Sequence, residues 1–294
     1  MTEPAPPGST IPTRPLPAPG PAGTAMLATR GVLRLTGSDR AGFLQGLVSN
    51  DVAALAPGTL AYAALLSPQG KYLHDFFVQA DADGFLIDCE APRRDDLLRR
   101  LKLYKLRSKI ELADVTEQYM VEVAFGEGAS GGTADPRLAA LGFRRILPRA
   151  AGTAAGTADS YDRLRLSLGV ADGSRDMEID KALLLENHID RLNGVSWTKG
   201  CYMGQELTAR THYRGLIKKR LLPVAVDGAL PASGTPVLDG DIEVGEMRSG
   251  RDDQGMALLR IAETEAALAA GRPLTAGGAR LAPYRLPWMA SSPA

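Results

Sequence analysis

The chain has 294 residues and a mass of 31.1 kDa, and 45% of its residues are hydrophobic, which is enough apolar material to fill the cores of two or three packed units. A short disulfide scaffold is therefore excluded. The 34 basic and 34 acidic residues leave no net charge, so the overall balance favours neither nucleic acid nor membrane surfaces. The two cysteines, Cys89 and Cys201, cannot form a four-thiolate cluster site and suit a reducing cytoplasm.

A proline-rich segment opens the sequence. Eight of the 20 prolines lie within the first 21 residues, and no apolar periodicity precedes Met26. This composition predicts a disordered, extended tail over residues 1–25. The segment lacks the basic start and the continuous apolar core of a secretory signal, and no later apolar run approaches the roughly 18 residues of a membrane span. We therefore expect a cytoplasmic protein with no membrane partner.

The pattern after Gly31 is that of a mixed α and β chain. Alternating apolar residues predict strands, whereas apolar residues three and four positions apart predict helices. The predicted strands cover residues 32–36, 60–66, 72–79, 85–89, 109–112 and 120–125, and the predicted helices cover residues 38–48 and 92–104. Ser67-Pro68-Gln69-Gly70 joins two of these strands as a hairpin turn. Strands with short hairpins and flanking helices indicate open antiparallel α+β sheets.

The second half of the chain changes in texture twice. Residues 126–156 are rich in Gly, Ala and Thr, which predicts loops around one short helix near Arg137–Leu141. Helical patterns follow over residues 160–169 and 181–192. Short strands separated by Gly and Asp turns are then predicted at residues 221–226, 236–238, 242–247 and 256–261. This last arrangement is typical of a small β-barrel.

Two other patterns do not support a site. Gly126–Gly131 fits G-x-G-x-x-G, but Asp135-Pro136 interrupts the helix that a dinucleotide site requires, and no acid follows at the distance that binds the ribose. We interpret this segment as a flexible loop. No metal-ligand spacing connects the three histidines, which are His74, His188 and His212. We therefore predict no metal site.

The strongest chemical signal is Lys199-Gly200-Cys201-Tyr202-Met203-Gly204-Gln205-Glu206. Two glycines four positions apart allow a tight turn, and the residues from Gln205 onward have the composition of a helix start. Cys201 would then precede a helix N-terminus, where the helix dipole and Lys199 favour a reactive thiolate. The spacing is also compatible with a buried cysteine that fills space under a turn. From the residues alone both interpretations stay open.

This segment resembles the K-G-C-x-x-G-Q-E signature of the YgfZ family, which comprises folate-binding proteins related to the glycine-cleavage T-protein and to mitochondrial factors for iron–sulfur cluster maturation. The resemblance extends along most of the chain. It includes Leu35-Thr-Gly-Ser-Asp, Phe43-Leu-Gln-Gly-Leu-Val-Ser-Asn-Asp-Val, Ser67-Pro-Gln-Gly-Lys and Arg210 with Arg214-Gly215. The proline-rich tail, the glycine-rich loop and the extreme C-terminus lie outside it.

The resemblance implies a T-protein-like ring of three α+β and β domains, with tetrahydrofolate in a central cavity. Residues 26–52 and about 150–215 would form the folate-binding domain, residues 53–149 the second domain and residues 216–294 a C-terminal β-barrel. The implied function is assembly or repair of iron–sulfur clusters in client enzymes, including enzymes that modify tRNA. The implied partners are these clients, other assembly factors and folate, with transient contact to a cluster and no direct contact with nucleic acid.

The resemblance also implies roles for individual residues. Cys201 matches the essential cysteine of the family, with Lys199 as a second catalytic candidate. The other motif residues are Gly200, Tyr202, Gly204, Gln205, Glu206 and Arg210. For the cofactor, Asn50 and Asp51 would line the folate cavity, and Tyr161 would contact the folate ring.

Two departures from the T-protein argue against aminomethyl transfer: His74-Asp75 stands where the T-protein has two adjacent acids, and Ser167 where it has a pteridine-binding Glu. Arg30 stands where some relatives place a folate-facing Trp, which removes a stacking contact to folate. The first alternative is nevertheless a tetrahydrofolate-dependent aminomethyl or one-carbon transferase that uses Asp75. The second is an RNA-binding adaptor that uses Arg93–Lys109, where eight basic residues accompany two acidic ones. We rank it last because no series of base-stacking aromatics accompanies the charges.

Overall fold

The computed structural model describes residues 9–151, 158–215 and 217–290. The chain forms two compact units. The motif unit comprises Pro19–Tyr161 and Leu192–Leu207, and it contains the cysteine motif. The barrel unit comprises Met1–Ala18, Asp162–Arg191 and Thr208–Ala294.

The motif unit contains two antiparallel sheets. Its strands are β1 (Gly23–Met26), β2 (Arg30–Thr36), β3 (Leu60–Leu66), β4 (Tyr72–Ala80), β5 (Gly84–Glu90), β6 (Glu111–Asp114), β7 (Tyr119–Phe125), β8 (Thr133–Ala134) and β9 (Phe143–Pro148). One sheet has the order β3-β4-β5-β2-β6 and the other β1-β7-β9-β8. The helices of this region are α1 (Arg40–Gln45) and α2 (Arg94–Lys105). The predicted α+β class with antiparallel sheets is confirmed.

The five-stranded sheet has two different faces because successive side chains in a strand point to opposite sides. Leu33, Ala63, Phe76 and Ile87 belong to one continuous core with α1 and α2. Each fully buried large apolar side chain in such a core contributes about 1.5–3 kcal/mol. The alternate positions are also buried and mix apolar side chains, such as Phe77 and Leu86, with polar ones, among them Asp75 and Asp88 on β4 and β5.

The barrel unit contains a closed antiparallel barrel of order β10-β13-β12-β11-β14-β15. Its strands are β10 (Lys219–Asp227), β11 (Pro236–Asp239), β12 (Ile242–Arg251), β13 (Gln254–Arg260), β14 (Leu274–Ala276) and β15 (Ala279–Pro283). The remaining helices of the chain are α3 (Ala158–Ser167), α4 (Gln205–Arg214), α5 (Ile261–Ala269) and α6 (Pro287–Ala290). Val224, Val237, Val244 and Leu259 fill the barrel interior. The predicted C-terminal barrel is confirmed.

The disordered tail is a wrong prediction for residues 9–25. Ile11 is 1% exposed and belongs to the barrel core, and the backbone N–H of Arg14 donates to the carbonyl of Arg285 at 2.9 Å. Farther along, β1 pairs with β7 from Gly23 to Met26. Proline-rich composition shows only that the segment forms no structure alone, whereas strand pairing and one buried anchor order it here. Residues 1–8 lie outside the described part.

The helix predicted over residues 181–192 is also wrong. The segment contains turns and one 3-10 helix, Leu185–Asn187. His188 has φ +57°, a left-handed conformation that an α-helix does not accommodate. Its apolar residues are nonetheless buried, so the helical spacing reflected burial and not a helix. The helix predicted at Arg137–Leu141 is a single 3-10 turn, Ala139–Leu141.

The two units group the chain differently from the predicted domains. Residues 26–52 lie in the same unit as residues 53–149, and Asp162–Arg191 belongs to the barrel unit. The division into three domains stays a prediction. Over the described ranges, no helix has the length and apolar character needed to cross a membrane.

The buried anchor of the N-terminal segment can be tested directly. Replacing Ile11 by Ala removes apolar volume from the barrel core and should lower the free energy of unfolding by about 3 kcal/mol. The control is Leu16→Ala, because Leu16 is 40% exposed and its loss should cost less than about 0.5 kcal/mol. Urea unfolding of both variants measures the difference. Equal effects would show that the segment does not contribute to the core.

Candidate functional site

Two glycine turns interlock beneath the cysteine motif. Gly204 has φ +79°, and a Cβ at this position would lie 2.4 Å from the carbonyl oxygen of Ser67. Gly70, in the hairpin turn between β3 and β4, has φ +80°, and its Cβ would lie 2.7 Å from the carbonyl oxygen of Gly204. Only glycine allows both the left-handed conformation and the close approach. The motif therefore packs against the hairpin through backbone contacts.

Backbone and side-chain hydrogen bonds hold the turn at the helix start. The N–H of Tyr202 donates to Oε1 of Gln205 at 3.0 Å, and the N–H of Met203 donates to the carbonyl of Gly46 at 3.1 Å. Tyr202 is buried, whereas Cys201 is exposed. As predicted, Cys201 precedes a helix, since α4 begins at Gln205. The interpretation of Cys201 as a space-filling buried residue does not agree with its exposure.

The other thiol lies in a contrasting environment. Cys89 is buried on β5 within the apolar core, as its position on a predicted strand suggested. Burial raises the pKa of the Cys89 thiol to about 12, so it stays protonated at neutral pH. Cys201 is thus the exposed thiol of the pair.

The side chain of Lys199 is held by hydrogen bonds within the fold. Its ammonium group donates hydrogen bonds to the backbone carbonyls of Gln45, at 2.6 Å, and Val48. These carbonyls lie at the C-terminal end of α1, where a positive charge is favourable. Burial lowers the pKa of Lys199 to about 8, against the opposing effect of the Asp51 charge. The Nζ atom also lies 5.0 Å from the centre of the Tyr202 ring. Lys199 therefore ties the motif to α1.

Asn50 and Asp51 lie in the loop that follows α1. The Asn50 amide donates to the carbonyls of Tyr62, at 2.8 Å, and Asn193, at 2.7 Å. Oδ1 of Asp51 accepts a bond from the Gln45 amide at 3.1 Å. Both side chains fasten this loop, and Asn50 joins it to β3 and to the segment that leads into the motif. Their predicted contact with folate stays a prediction.

Glu206 and Arg210 lie on the first two turns of α4 and are exposed. A carboxylate in the first turn is favourable there because the helix dipole is positive at its N-terminus. Gly200 has φ +71°, and a Cβ at this position would meet nothing within 4 Å. Gly204 is therefore required by packing as well as by its backbone conformation, whereas Gly200 is required by its conformation alone.

A buried polar cluster lies on the face of the five-stranded sheet that does not belong to the core with α1 and α2. Its carboxylates are Asp75, Asp88 and Asp135. Asp75 is buried and accepts hydrogen bonds from the hydroxyl groups of Tyr62 at 2.9 Å and Tyr72 at 2.7 Å. Burial raises the pKa of both tyrosines well above its ordinary value, so they donate as neutral phenols. His74 bonds to Asp96 at 2.9 Å, and burial lowers its pKa to about 4. The pair His74-Asp75 is therefore divided between two environments.

Two arginines neutralise the next carboxylate of this face. Asp88 is fully buried and lies 2.6 Å from nitrogen atoms of both Arg30 and Arg144. The guanidinium of Arg144 lies 4.0 Å from the centre of the Phe77 ring. Arg144 belongs to β9 in the four-stranded sheet, so this ion pair joins the two sheets of the motif unit.

Tyr161 belongs to the same cluster through Arg137. The Arg137 guanidinium bonds Asp135 through two nitrogens, at 3.0 and 2.8 Å, and donates to the Tyr161 hydroxyl at 3.1 Å. Burial alone would raise the pKa of Asp135, but the charge and hydrogen bonds of Arg137 hold it below its ordinary value. The guanidinium also lies 4.8 Å from the centre of the Phe77 ring.

Most of this buried polar cluster has no distinctive sequence pattern. One signal could have indicated Asp88: it is a charged residue within a strand whose neighbouring residues are apolar, and such a strand is expected to be buried on both faces. Arg137 and Asp135 come from a loop, where the sequence has no period to read. The structure brings Tyr161 to this cluster and Lys199 and Asp51 to the base of the cysteine motif. In the ranges that the structure covers, no three His, Cys, Asp or Glu side chains form a group able to hold a metal ion.

Two family models match the chain. The GCVT N-terminal domain matches residues 22–126, and the CAF17 C-terminal beta-barrel domain matches residues 218–291. The iron-sulfur cluster assembly factor IBA57, mitochondrial, of Mus musculus is 35% identical over 286 residues, which cover 83% of this chain and 79% of the mouse protein. The chain belongs to the IBA57 family. The human protein of the same name is 34% identical over 78% of this chain and 75% of its own length.

Other relatives extend beyond the matched region. The IBA57 homolog of Mycosarcoma maydis is 37% identical over 227 residues, and the chain spans 56% of its length. The IBA57 relatives named here are mitochondrial proteins, so the prediction of a cytoplasmic location is wrong. A crystal structure of glycine cleavage system aminomethyltransferase T from Bartonella henselae matches with a TM-score of 0.69, at 15% identity over 95% of this chain and 89% of that chain. This likeness confirms the predicted T-protein-like fold of the IBA57 family member.

The two motif glycines form a matched pair for a test. Gly204→Ala adds a methyl group against the Ser67 carbonyl in a left-handed conformation and should lower the free energy of unfolding by about 3 kcal/mol. Gly200→Ala meets no neighbour and should cost only the conformational strain, about 1 kcal/mol. Urea unfolding measures both. A Gly204→Ala loss no larger than that of Gly200→Ala would contradict the interlocked turns.

Proposed function

We propose that this chain assists the assembly or repair of iron–sulfur clusters in client enzymes, including enzymes that modify tRNA. Its family membership supports this function, because the mouse and human relatives are named iron–sulfur cluster assembly factors. The observation that carries the proposal is the exposed thiol of Cys201 on a turn held by Gly204 and by the hydrogen bond from Tyr202 to Gln205. The role proposed for the thiol is the one that the sequence likeness to the YgfZ family implies.

The chain's own residues would act by presenting one thiol. As a thiolate, Cys201 is a ligand for cluster iron. It can also attack a partner's disulfide, which forms a mixed disulfide and releases the partner's other sulfur as a thiolate. Protein-bound clusters of this kind have four cysteine ligands, so a single thiol cannot hold one alone. The remaining ligands would come from an iron–sulfur client, an assembly factor, a second chain or a small thiol. The cluster is the cargo in this proposal.

The contacts around the motif suit this role. Lys199, Met203 and Gly204 connect the turn to α1 and to the β3–β4 hairpin, so the thiol is presented from a fixed backbone. The site therefore needs little ordering when a partner docks, and a preordered site loses less entropy on binding. Tyr202 and Lys199 are buried and thus support the turn, whereas Cys201 is available to react.

Tetrahydrofolate is part of the same proposal. A pteridine ring needs a carboxylate that accepts its N–H groups, and the two glutamate carboxylates need a cation. The buried polar cluster has such a carboxylate, because each Asp75 oxygen accepts one tyrosine bond and keeps a second lone pair. Asp75 therefore fits the pteridine in kind, whereas Arg137 is already paired with Asp135 and does not serve the glutamate carboxylates. Asp75 would hold the pteridine, with Tyr161 beside it as the family likeness implies, and bound folate would supply one-carbon chemistry.

The role of the thiol can be tested in cells that depend on this protein for an iron–sulfur enzyme. Cys201→Ser removes the iron ligand without changing a buried contact, and we expect it to abolish restoration of that enzyme's activity. Cys89→Ala is the control, because its thiol is buried and protonated, and it should restore activity. Purified variants should show equal far-UV circular dichroism. Full activity of Cys201→Ser would overturn the proposed role.

Folate binding is tested by calorimetric titration with tetrahydrofolate. Asp75→Asn removes a buried charged acceptor and should weaken binding at least about tenfold, since such hydrogen bonds contribute about 1.5–3 kcal/mol. Asp83→Asn is the control, because Asp83 is exposed in a hairpin loop and should leave affinity unchanged. Absence of binding to the unsubstituted chain would exclude folate. Turnover of methylene-tetrahydrofolate would instead favour the one-carbon transferase alternative.

A further inference from the structure

The end of α2 exposes an unusual combination of side chains. Residues 102–107, here called the α2 tip, read Lys-Leu-Tyr-Lys-Leu-Arg. Leu97 and Leu101 bury the inner face of α2 in the core of the motif unit. At the tip, by contrast, Leu103 is 64% exposed and Leu106 is 88% exposed, and Tyr104 is also exposed. Single exposed apolar residues are ordinary, but three within four positions form a patch.

The charges at the tip differ from those earlier in the helix. Arg94 is paired with Asp114 at 3.1 Å, and Arg100 is paired with Asp96 at 2.7 Å. Lys102, Lys105 and Arg107 form no ion pair with any residue of the described ranges. Positive charge is favourable at a helix C-terminus. The three cationic residues lie within four positions of Leu103 and Leu106 in the sequence, and we call them the basic rim.

The backbone at the tip is strained. The N–H of Ser108 donates to the carbonyl of Lys105 at 2.8 Å, and Leu106 has φ +44° and ψ −113°. These angles place Leu106 at the first central position of a type II′ turn, which strongly favours glycine. Its side chain gains almost nothing from burial within the chain, since it is exposed. Leu106 thus lowers the stability of the fold by strain and exposes apolar surface at the same time.

We propose that the α2 tip is a docking surface for a protein partner whose binding site is an apolar pocket rimmed by carboxylates. Leu106 would be the central anchor, and Lys102, Lys105 and Arg107 would face the acidic rim. Interfaces obtain most of their affinity from a few central apolar anchors, and complementary charge speeds encounter and sets orientation. The proposal goes beyond the Cys201 function and does not depend on it.

Two other classes of partner are less compatible with the tip. An RNA surface would be expected to carry several stacking aromatics, and the tip has Tyr104 alone. An amphipathic helix binds a membrane through a continuous apolar face, whereas the apolar face of α2 with Leu97 and Leu101 is already in the core. A protein pocket needs only a small projecting anchor of fixed geometry, which Leu106 provides.

The test uses the full chain and a fluorescein-labelled 16-residue helical peptide. Its leucines at positions i, i+3 and i+4 flank a hole that accepts one projecting side chain, and glutamates surround that hole. We expect saturable binding that weakens as salt rises. Leu106→Gly should raise the Kd at least tenfold and should also raise the thermal unfolding midpoint, by about 2 °C, because strain is relieved. The control is Ile242→Ser: Ile242 is 63% exposed but stands between Asp241 and Glu243, and its loss should leave the Kd unchanged.

The basic rim is tested in the same assay. Lys102→Ala with Arg107→Ala should weaken peptide binding and flatten its salt dependence, whereas Lys218→Ala with Lys219→Ala removes equal charge elsewhere and should do neither. The proposal is overturned if the peptide does not bind, if Leu106→Gly binds it normally, or if that variant is less stable than the parent. Tighter binding to vesicles of phosphatidylcholine with 30% phosphatidylglycerol, or to a 20-nucleotide polyuridine RNA, would also overturn it.

Discussion

The contact between two glycine turns is the constraint on which the cysteine site depends. Gly204 and Gly70 each occupy a left-handed conformation, and each lies against the other turn so closely that no side chain fits. Because the contact is made by backbone atoms, the hairpin between β3 and β4 sets the position of the motif directly. The hydrogen bonds of Met203 and Lys199 then join the motif to the region around α1. Cys201 is therefore exposed on a turn that backbone contacts hold in place.

The two faces of the five-stranded sheet lie in different environments. Its apolar face, with Phe76 and Ile87, forms the core with α1 and α2. Its other face is buried as well, and its carboxylates have specific partners: Asp75 has two tyrosines and Asp88 has two arginines. Buried charges of this kind are costly unless paired, and pairing across two sheets adds specificity to their packing.

In the structure most side chains of the cysteine motif support the turn, and Cys201 does not. Lys199, Tyr202 and Gln205 satisfy or cover backbone groups, and these interactions account for their residue types without any reaction. Cys201 makes no comparable contribution to the core, so its role is to be sought in binding or reaction. The α2 tip follows the same logic, because Leu106 is strained and exposed and its residue type is not explained by the fold.

Local pattern determined the antiparallel α+β class, four of the six barrel strands, the β3–β4 hairpin and the position of Cys201 before a helix, since all of these depend on neighbours in sequence. Tertiary structure alone decided the rest. Ile11 orders a proline-rich segment through contacts with a distant barrel, and the apolar spacing near His188 belongs to buried turns. Arg137 meets Tyr161 across 24 positions of chain. Such contacts depend on where separate segments pack together, which no local period encodes.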